Sequence, residues 1–242
     1  MFPKPSRKLR RFIPGLVAVF GLVVLAGCFN PFDPTILNQR VSSAAPVPNS
    51  PENAVRLFEW CWVNRGVDEY RELFTDDYVF LSAGTDSAGN QNRDIQARRD
   101  DEVQTAENMF IGSSERPPAE QITLQFDQNL RVRNDSRPGK NPTWHKQIRT
   151  TVDLKVRIDS SNSVEVTGNA LFFITRGDSA AIPAELKARG FAPDSLRWWI
   201  DRWEDETIGG NGIVATRAVR PAIALPQQMT MSELKHIYAP RP

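Results

Sequence analysis

Trp144-His145-Lys146-Gln147-Ile148-Arg149-Thr150-Thr151-Val152-Asp153-Leu154-Lys155-Val156-Arg157-Ile158 decides the fold. Val152, Leu154, Val156 and Ile158 alternate one for one with Thr151, Asp153, Lys155 and Arg157. A period of two marks a strand with one face in a core and the other in water. The same pattern lies on either side. Upstream, Ile122, Leu124 and Phe126 alternate with Thr123, Gln125 and Asp127. Downstream, Val164 to Thr175 reads as a long strand, apolar on both faces at Leu171-Phe172-Phe173-Ile174, and Leu196 to Thr207 reads as a final one. Asn134 to Pro142 is a turn-rich loop, and Gly209-Gly210-Asn211-Gly212 ends the compact part.

Further towards the N-terminus the period becomes helical. Ser50-Pro51-Glu52 supplies an N-cap, a first-turn proline and an acid near the positive helix end. Ala54, Leu57, Phe58, Cys61 and Trp62 follow at spacings of three and four, and Gly66 closes the helix. A short second helix fits Val67 to Phe74, and a strand fits Tyr78 to Leu81, followed by a polar loop over Gly84 to Asn92. Arg93 to Phe110 contains neither Gly nor Pro and reads as a third helix, the charged run Arg93 to Glu107 being a solvated face. Pro183 to Arg189 fits one or two helical turns, and Thr230 with Glu233 makes a capping box for a helix over Met231 to Tyr238. Helices come first and strands then follow one another without alternation. That order excludes a doubly wound parallel sheet. It predicts an α+β fold, a strongly curved antiparallel sheet wrapped around N-terminal helices.

Composition narrows the function. The chain has 242 residues, 40% of them hydrophobic and 24% charged, which excludes wholesale disorder. Its net charge of +1 hides an asymmetry, because Lys4, Arg7, Lys8, Arg10 and Arg11 crowd the start. Without those five, 25 Lys+Arg face 29 Asp+Glu, a balance of −4. No strongly basic body is left to bind nucleic acid through its phosphates. Two Cys are too few for a disulfide framework or a zinc cluster.

The basic start leads into an uncharged apolar stretch, Phe12 to Val24, that ends at Leu25-Ala26-Gly27-Cys28. About 13–15 apolar residues are short for a bilayer span and suit a secretory signal. Leu-Ala-Gly-Cys resembles the bacterial lipoprotein box. The resemblance implies cleavage before Cys28, diacylglycerol on its sulfur and an acylated (palmitate-type) amino terminus, since two or three chains anchor stably where one does not. Residues 1–27 would be the signal peptide and the mature chain 215 residues long, from 242 less 27. Phe29 follows the cysteine, and resemblance to sorted lipoproteins implies the outer membrane where there are two membranes. Residues 28–49, with Pro31, Pro34, Pro46 and Pro48, read as a lipidated tether. Residues 50–208 would form the domain, and 209–242 a tail with one short helix.

Ala54-Val55-Arg56-Leu57-Phe58-Glu59-Trp60, followed by Tyr70-Arg71-Glu72-Leu73-Phe74-Thr75-Asp76-Asp77-Tyr78, resembles the opening of nuclear transport factor two-like domains, whose relatives include polyketide cyclase-like and ketosteroid isomerase-like domains. Trp198-Trp199-Ile200-Asp201-Arg202-Trp203-Glu204-Asp205-Glu206 is similar to the last strand of lipoproteins carrying such domains. The resemblance implies a cone, a bent sheet and helices around an internal cavity, and pairing of two copies through the open sheet face. The cone hosts enzymes, binders and scaffolds, so function must be argued from the site.

An isomerase-like site needs a carboxylate base and a donor for the oxyanion. Asp201, alternating with Trp199 and Trp203, is one candidate. Asp153 is another, although it shares a face with Thr151, Lys155 and Arg157. Tyr78 and Tyr70 are the phenols in view, with core packing as their plainer role. His145 and His236 have no partner at a recognisable spacing, and two scattered His leave no metal or cofactor to expect. Cys61 reads as a buried thiol without an activating base. Trp60, Trp199 and Trp203 could line a cavity for a small apolar ligand. The leading expectation is a non-enzymatic lipid-anchored envelope protein that binds such a ligand or an envelope partner. An isomerase, dehydratase or cyclase, and a passive structural lipoprotein, are the alternatives.

Cys28→Ser should leave the chain unlipidated and release it from membranes on fractionation. A variant still anchored would make the apolar stretch an uncleaved span.

Overall fold

The computed structural model describes residues 44–85, 91–177, 180–208 and 226–240. The stretch read as a signal peptide, Cys28, most of the stretch read as a tether and Gly209 to Gly212 lie outside the described residues. Helix α1 runs Pro51–Asn64, and the Ser50 hydroxyl accepts from the Asn53 N–H at 3.1 Å, as the N-cap reading requires. Its end differs in detail from the expectation. The left-handed residue is Arg65, at φ 59°, and not Gly66. For a non-glycine residue that conformation costs about 1–2 kcal/mol. The Arg65 guanidinium offsets it by donating to the carbonyls of Phe110, Ala119 and Glu120 at 3.1, 2.6 and 3.0 Å. Gly66 is needed for room: a Cβ there would lie 2.6 Å from Cζ3 of Trp60.

After α2 (Val67–Arg71) the chain enters β1 (Phe74–Thr85), then β2 (Gln91–Arg98) and helix α3 (Arg99–Phe110). The single helix expected over Arg93 to Phe110 is therefore a strand followed by a helix. Gln91–Arg98 pairs antiparallel with β1, and this long-range pairing overrides a local composition that permits a helix. The remaining strands are β3 (Gln121–Phe126), β4 (Arg131–Asn134), β5 (His145–Arg157), β6 (Ser163–Arg176), β7 (Trp198–Ile208) and β8 (Gln227–Gln228). Helices α4 (Ala184–Ala188) and α5 (Met231–Tyr238) complete the elements. The four-residue β4 falls at the edge of the stretch read as a loop.

The sheet runs β2-β1-β7-β6-β5-β3, with β4 beside β5 and β8 beside β6. Pairing is antiparallel except where β7 lies along β1 and β8 along β6. The result is the curved, unclosed α+β sheet that the sequence predicts. Gly168 marks a tight approach within it. Its φ is +139°, and a Cβ would come within 2.6 Å of the Thr207 Cα on β7. On β5, Ile148, Thr150, Val152, Leu154 and Val156 point inward while Arg149, Thr151, Lys155 and Arg157 face water. The facing register, Leu124 against Leu154 and Val166 against Leu154, confirms the period-two reading.

Phe58 of α1 is the hub of the core. Its ring centroid lies 5.1–6.4 Å from those of Trp62, Tyr70, Phe74, Phe126, Phe172 and Trp203. The tail helix α5 belongs to the same core, through Met231, Leu234 and Tyr238. Among the described residues no helix is long and apolar enough to cross a membrane.

Phe58→Ala should cost about 3–5 kcal/mol. Urea unfolding should show a lowered midpoint with an unchanged slope; a loss below 1 kcal/mol would mean that the ring cluster closes over the hole.

Candidate functional site

Two charged side chains sit where only apolar ones are expected. On α3, Glu102 shares a helical stripe with Ala106, Met109 and Phe110. On α5, Lys235 completes the stripe Met231, Leu234 and Tyr238. The two meet inside the domain. Glu102 is 1% exposed and Lys235 7%. One Glu102 oxygen accepts from the Tyr70 hydroxyl at 2.7 Å, and the other accepts from Lys235 Nζ. The ammonium also lies 3.6 Å from the ring centroid of Phe80 and 3.9 Å from that of Trp203. Tyr70 receives the indole N–H of Trp62 at 3.3 Å. Asp205, buried on β7, adds a second negative charge that acts on Lys235, and its carboxyl accepts from the Thr207 N–H at 3.0 Å.

Burial sets the electrostatics. It pulls Lys235 below the ordinary lysine pKa, against the opposing charges of Glu102 and Asp205. It pushes Asp205 up, although Thr207 and Lys235 pull the other way. Burial and then the Glu102 charge hold the hydroxyls of Tyr70 and Tyr78 well above the usual phenol value. Among the described residues the buried Trp203 indole nitrogen has no hydrogen-bond partner. A groove of about 210 Å³ reaches the site from outside, between Phe80, Ala97, Thr105, Ser232, Lys235 and His236. Such an enclosure holds a cation between ring faces and carboxylates. Each Glu102 oxygen already accepts one hydrogen bond within it.

The residues expected from sequence do not form one site. Asp201 is buried at a bulge. Residues 200 and 202 oppose the adjacent pair Ile174 and Phe173, which leaves Asp201 as the extra residue. The parity of β7 flips there. Trp203 joins the main core while Trp199 packs in a separate cluster with Ile182 and Leu186. Trp60 is half-buried beside Gly66. The three Trp therefore do not line a common cavity. Asp201 accepts from Arg137 Nη2 at 2.8 and 3.1 Å, with Lys140 Nζ at 3.4 Å. Arg137 also holds Asp135 at 2.6 Å and lies over the Phe173 ring at 4.1 Å. Asp201 is thus ion-paired to the loop after β4. Asp153 is half-exposed beside Lys155, at 3.6 Å. Among the described contacts neither acid joins Tyr78, so the expected acid-phenol pairs are not assembled. The Cys61 thiol is fully enclosed, and burial drives its pKa far up. His145 Nδ1 lies 3.1 Å from the Asn141 carbonyl oxygen, while His236 lines the groove.

No family model and no curated protein matches the chain. Solved structures do. A candidate scytalone dehydratase from Novosphingobium aromaticivorans matches at 13% identity and TM-score 0.43, over 65% of this chain and 80% of its own. A conserved protein from Planctomyces limnophilus matches at 16% and 0.38, over 65% and 95%. A nuclear transport factor 2-like superfamily protein from Salmonella enterica matches at 13% and 0.38, over 69% and 92%. Likeness at this level carries no argument about activity. The fold rests on the strand order and register.

Burial tends to raise Asp135, but Arg137's hydrogen bonds and charge outweigh it and hold the carboxyl below its usual value. A depressed acid stabilises the fold above the unfolded pKa, about pH 4, and loses that contribution as pH falls through the folded value. Asp135→Asn should melt lower than the parent at neutral pH, with the two melting temperatures converging under acid. A constant offset down to pH 2 would remove Asp135 from the acid limb.

Proposed function

We propose that this chain is a lipid-anchored envelope protein whose cone domain holds a small ligand or an envelope partner and does not transform it. The Leu25-Ala26-Gly27-Cys28 box after a basic and apolar leader supports the anchor. The site supports binding over turnover. Both oxygens of Glu102 already accept hydrogen bonds, from Tyr70 and Lys235, and its ion pair with Lys235 weakens it as a base for a substrate proton. One observation carries the reading: α5 is seated by a charged side chain reaching into an aromatic interior. A permanent wall needs no such device, because a methylene-rich apolar side chain in that position would be as stable or more so. Helix α5 is therefore a removable closure.

A second reading, an isomerase, dehydratase or cyclase, draws on the buried acid Asp205, whose carboxyl is pushed up by burial, and on the enclosed phenols. It requires the same opening of α5 before a substrate could enter.

Native-state hydrogen exchange tests the closure. The amides of Met231 to Tyr238 should exchange through an opening distinctly cheaper than global unfolding. Exchange of this helix only on global unfolding would make the domain a sealed scaffold and remove the binding reading.

A further inference from the structure

We infer that the closed interior is a binding site for a primary alkylammonium ion, and that Lys235 is its built-in occupant. The inference rests on the binding reading above and names the ligand class. The ammonium of Lys235 has three kinds of partner at once. Two ring faces, Phe80 and Trp203, lie 3.6 and 3.9 Å from Nζ. Glu102 accepts one of its N–H groups. Asp205 contributes a further negative charge from β7. Cations between aromatic faces are stabilised by the ring quadrupoles, and most so when water is excluded. Lysine is among the residues least often buried, so an enclosure that satisfies its head from several elements selects for that head.

The hydrogen bond to Glu102 decides between kinds of cation. A quaternary ammonium has no N–H for the carboxylate; a primary one does. Asp205, buried on β7, brings a second carboxylate whose charge acts on the same ammonium. The groove of about 210 Å³ is lined by Phe80 and Lys235, and Ala97, Ala239 and Pro240 give it apolar surface beside the polar Asp101 and Thr105, along which a short alkyl chain behind the ammonium could lie. An incoming amine would replace the Lys235 head atom for atom. Helix α5 would lose its charged anchor and keep Met231, Leu234 and Tyr238.

The test uses the full chain with n-butylammonium, which reproduces the four-carbon stem and head of lysine. Lys235→Ala should lower the melting temperature, and n-butylammonium should restore it saturably. By calorimetry it should bind this variant about tenfold or more tighter than the parent, because the internal competitor is gone. Tetramethylammonium and n-butanol should do neither. Parent protein with n-butylammonium should show faster exchange over Met231 to Tyr238. Should Lys235→Ala not fold, Glu102→Gln in the parent assay replaces it: n-butylammonium should speed exchange over Met231 to Tyr238 in the parent and not in Glu102→Gln. Equal rescue by n-butanol, or no saturable binding, overturns the ammonium site. If α5 still opens in the parent, only the ligand class falls; if it does not, the binding reading falls with it.

Discussion

A buried ammonium is the constraint on which the rest of this domain depends. Moving a lysine head out of water costs several kcal/mol, and the cost is recovered only when the surrounding geometry is close to ideal. Here the requirement spreads across the fold. Glu102 must come from α3, its second oxygen must be held by Tyr70 of α2, and the two ring faces must come from β1 and β7. A small displacement of any of these elements would leave a charge unpaired in an apolar interior. The pair thus fixes where α3 and α5 sit on the sheet, a role that non-directional apolar packing fills poorly.

Around this pair the core is aromatic and centred on Phe58. Some rings meet edge-on, at 88° to Phe74 and 84° to Trp203, and others stack, at 26° to Trp62 and 30° to Phe126. The bulge at Asp201 separates this core from a smaller one under α4. The flip places Trp199 against Ile182, Leu186 and Phe191. Arg137 then joins the outer side of the sheet to the loop after β4, through Asp135, Asp201 and the face of Phe173.

Much of this was legible in the residues. The period of two over Val152 to Ile158, the N-cap at Ser50 and the capping box at Thr230 marked strands and helix starts with a physical cause. What escaped was non-local. Gln91–Arg98 is a strand because β1 lies beside it, and nothing in its own composition says so. The bulge on β7 is invisible to a parity argument that assumes unbroken alternation. Glu102 and Lys235 did leave a signal, a charge inside an apolar stripe. In a chain with this many charged residues that signal reads as a solvated face until the stripe is traced position by position.

The distance along the chain between the two charges has a consequence for biogenesis. Glu102 and Lys235 are 133 residues apart. A nascent chain emerging N-terminus first carries Glu102, Tyr70 and Phe80 long before their cationic partner exists. In that interval the interior cannot close around a satisfied pair. The last helix to be synthesised is the one that supplies the completing charge.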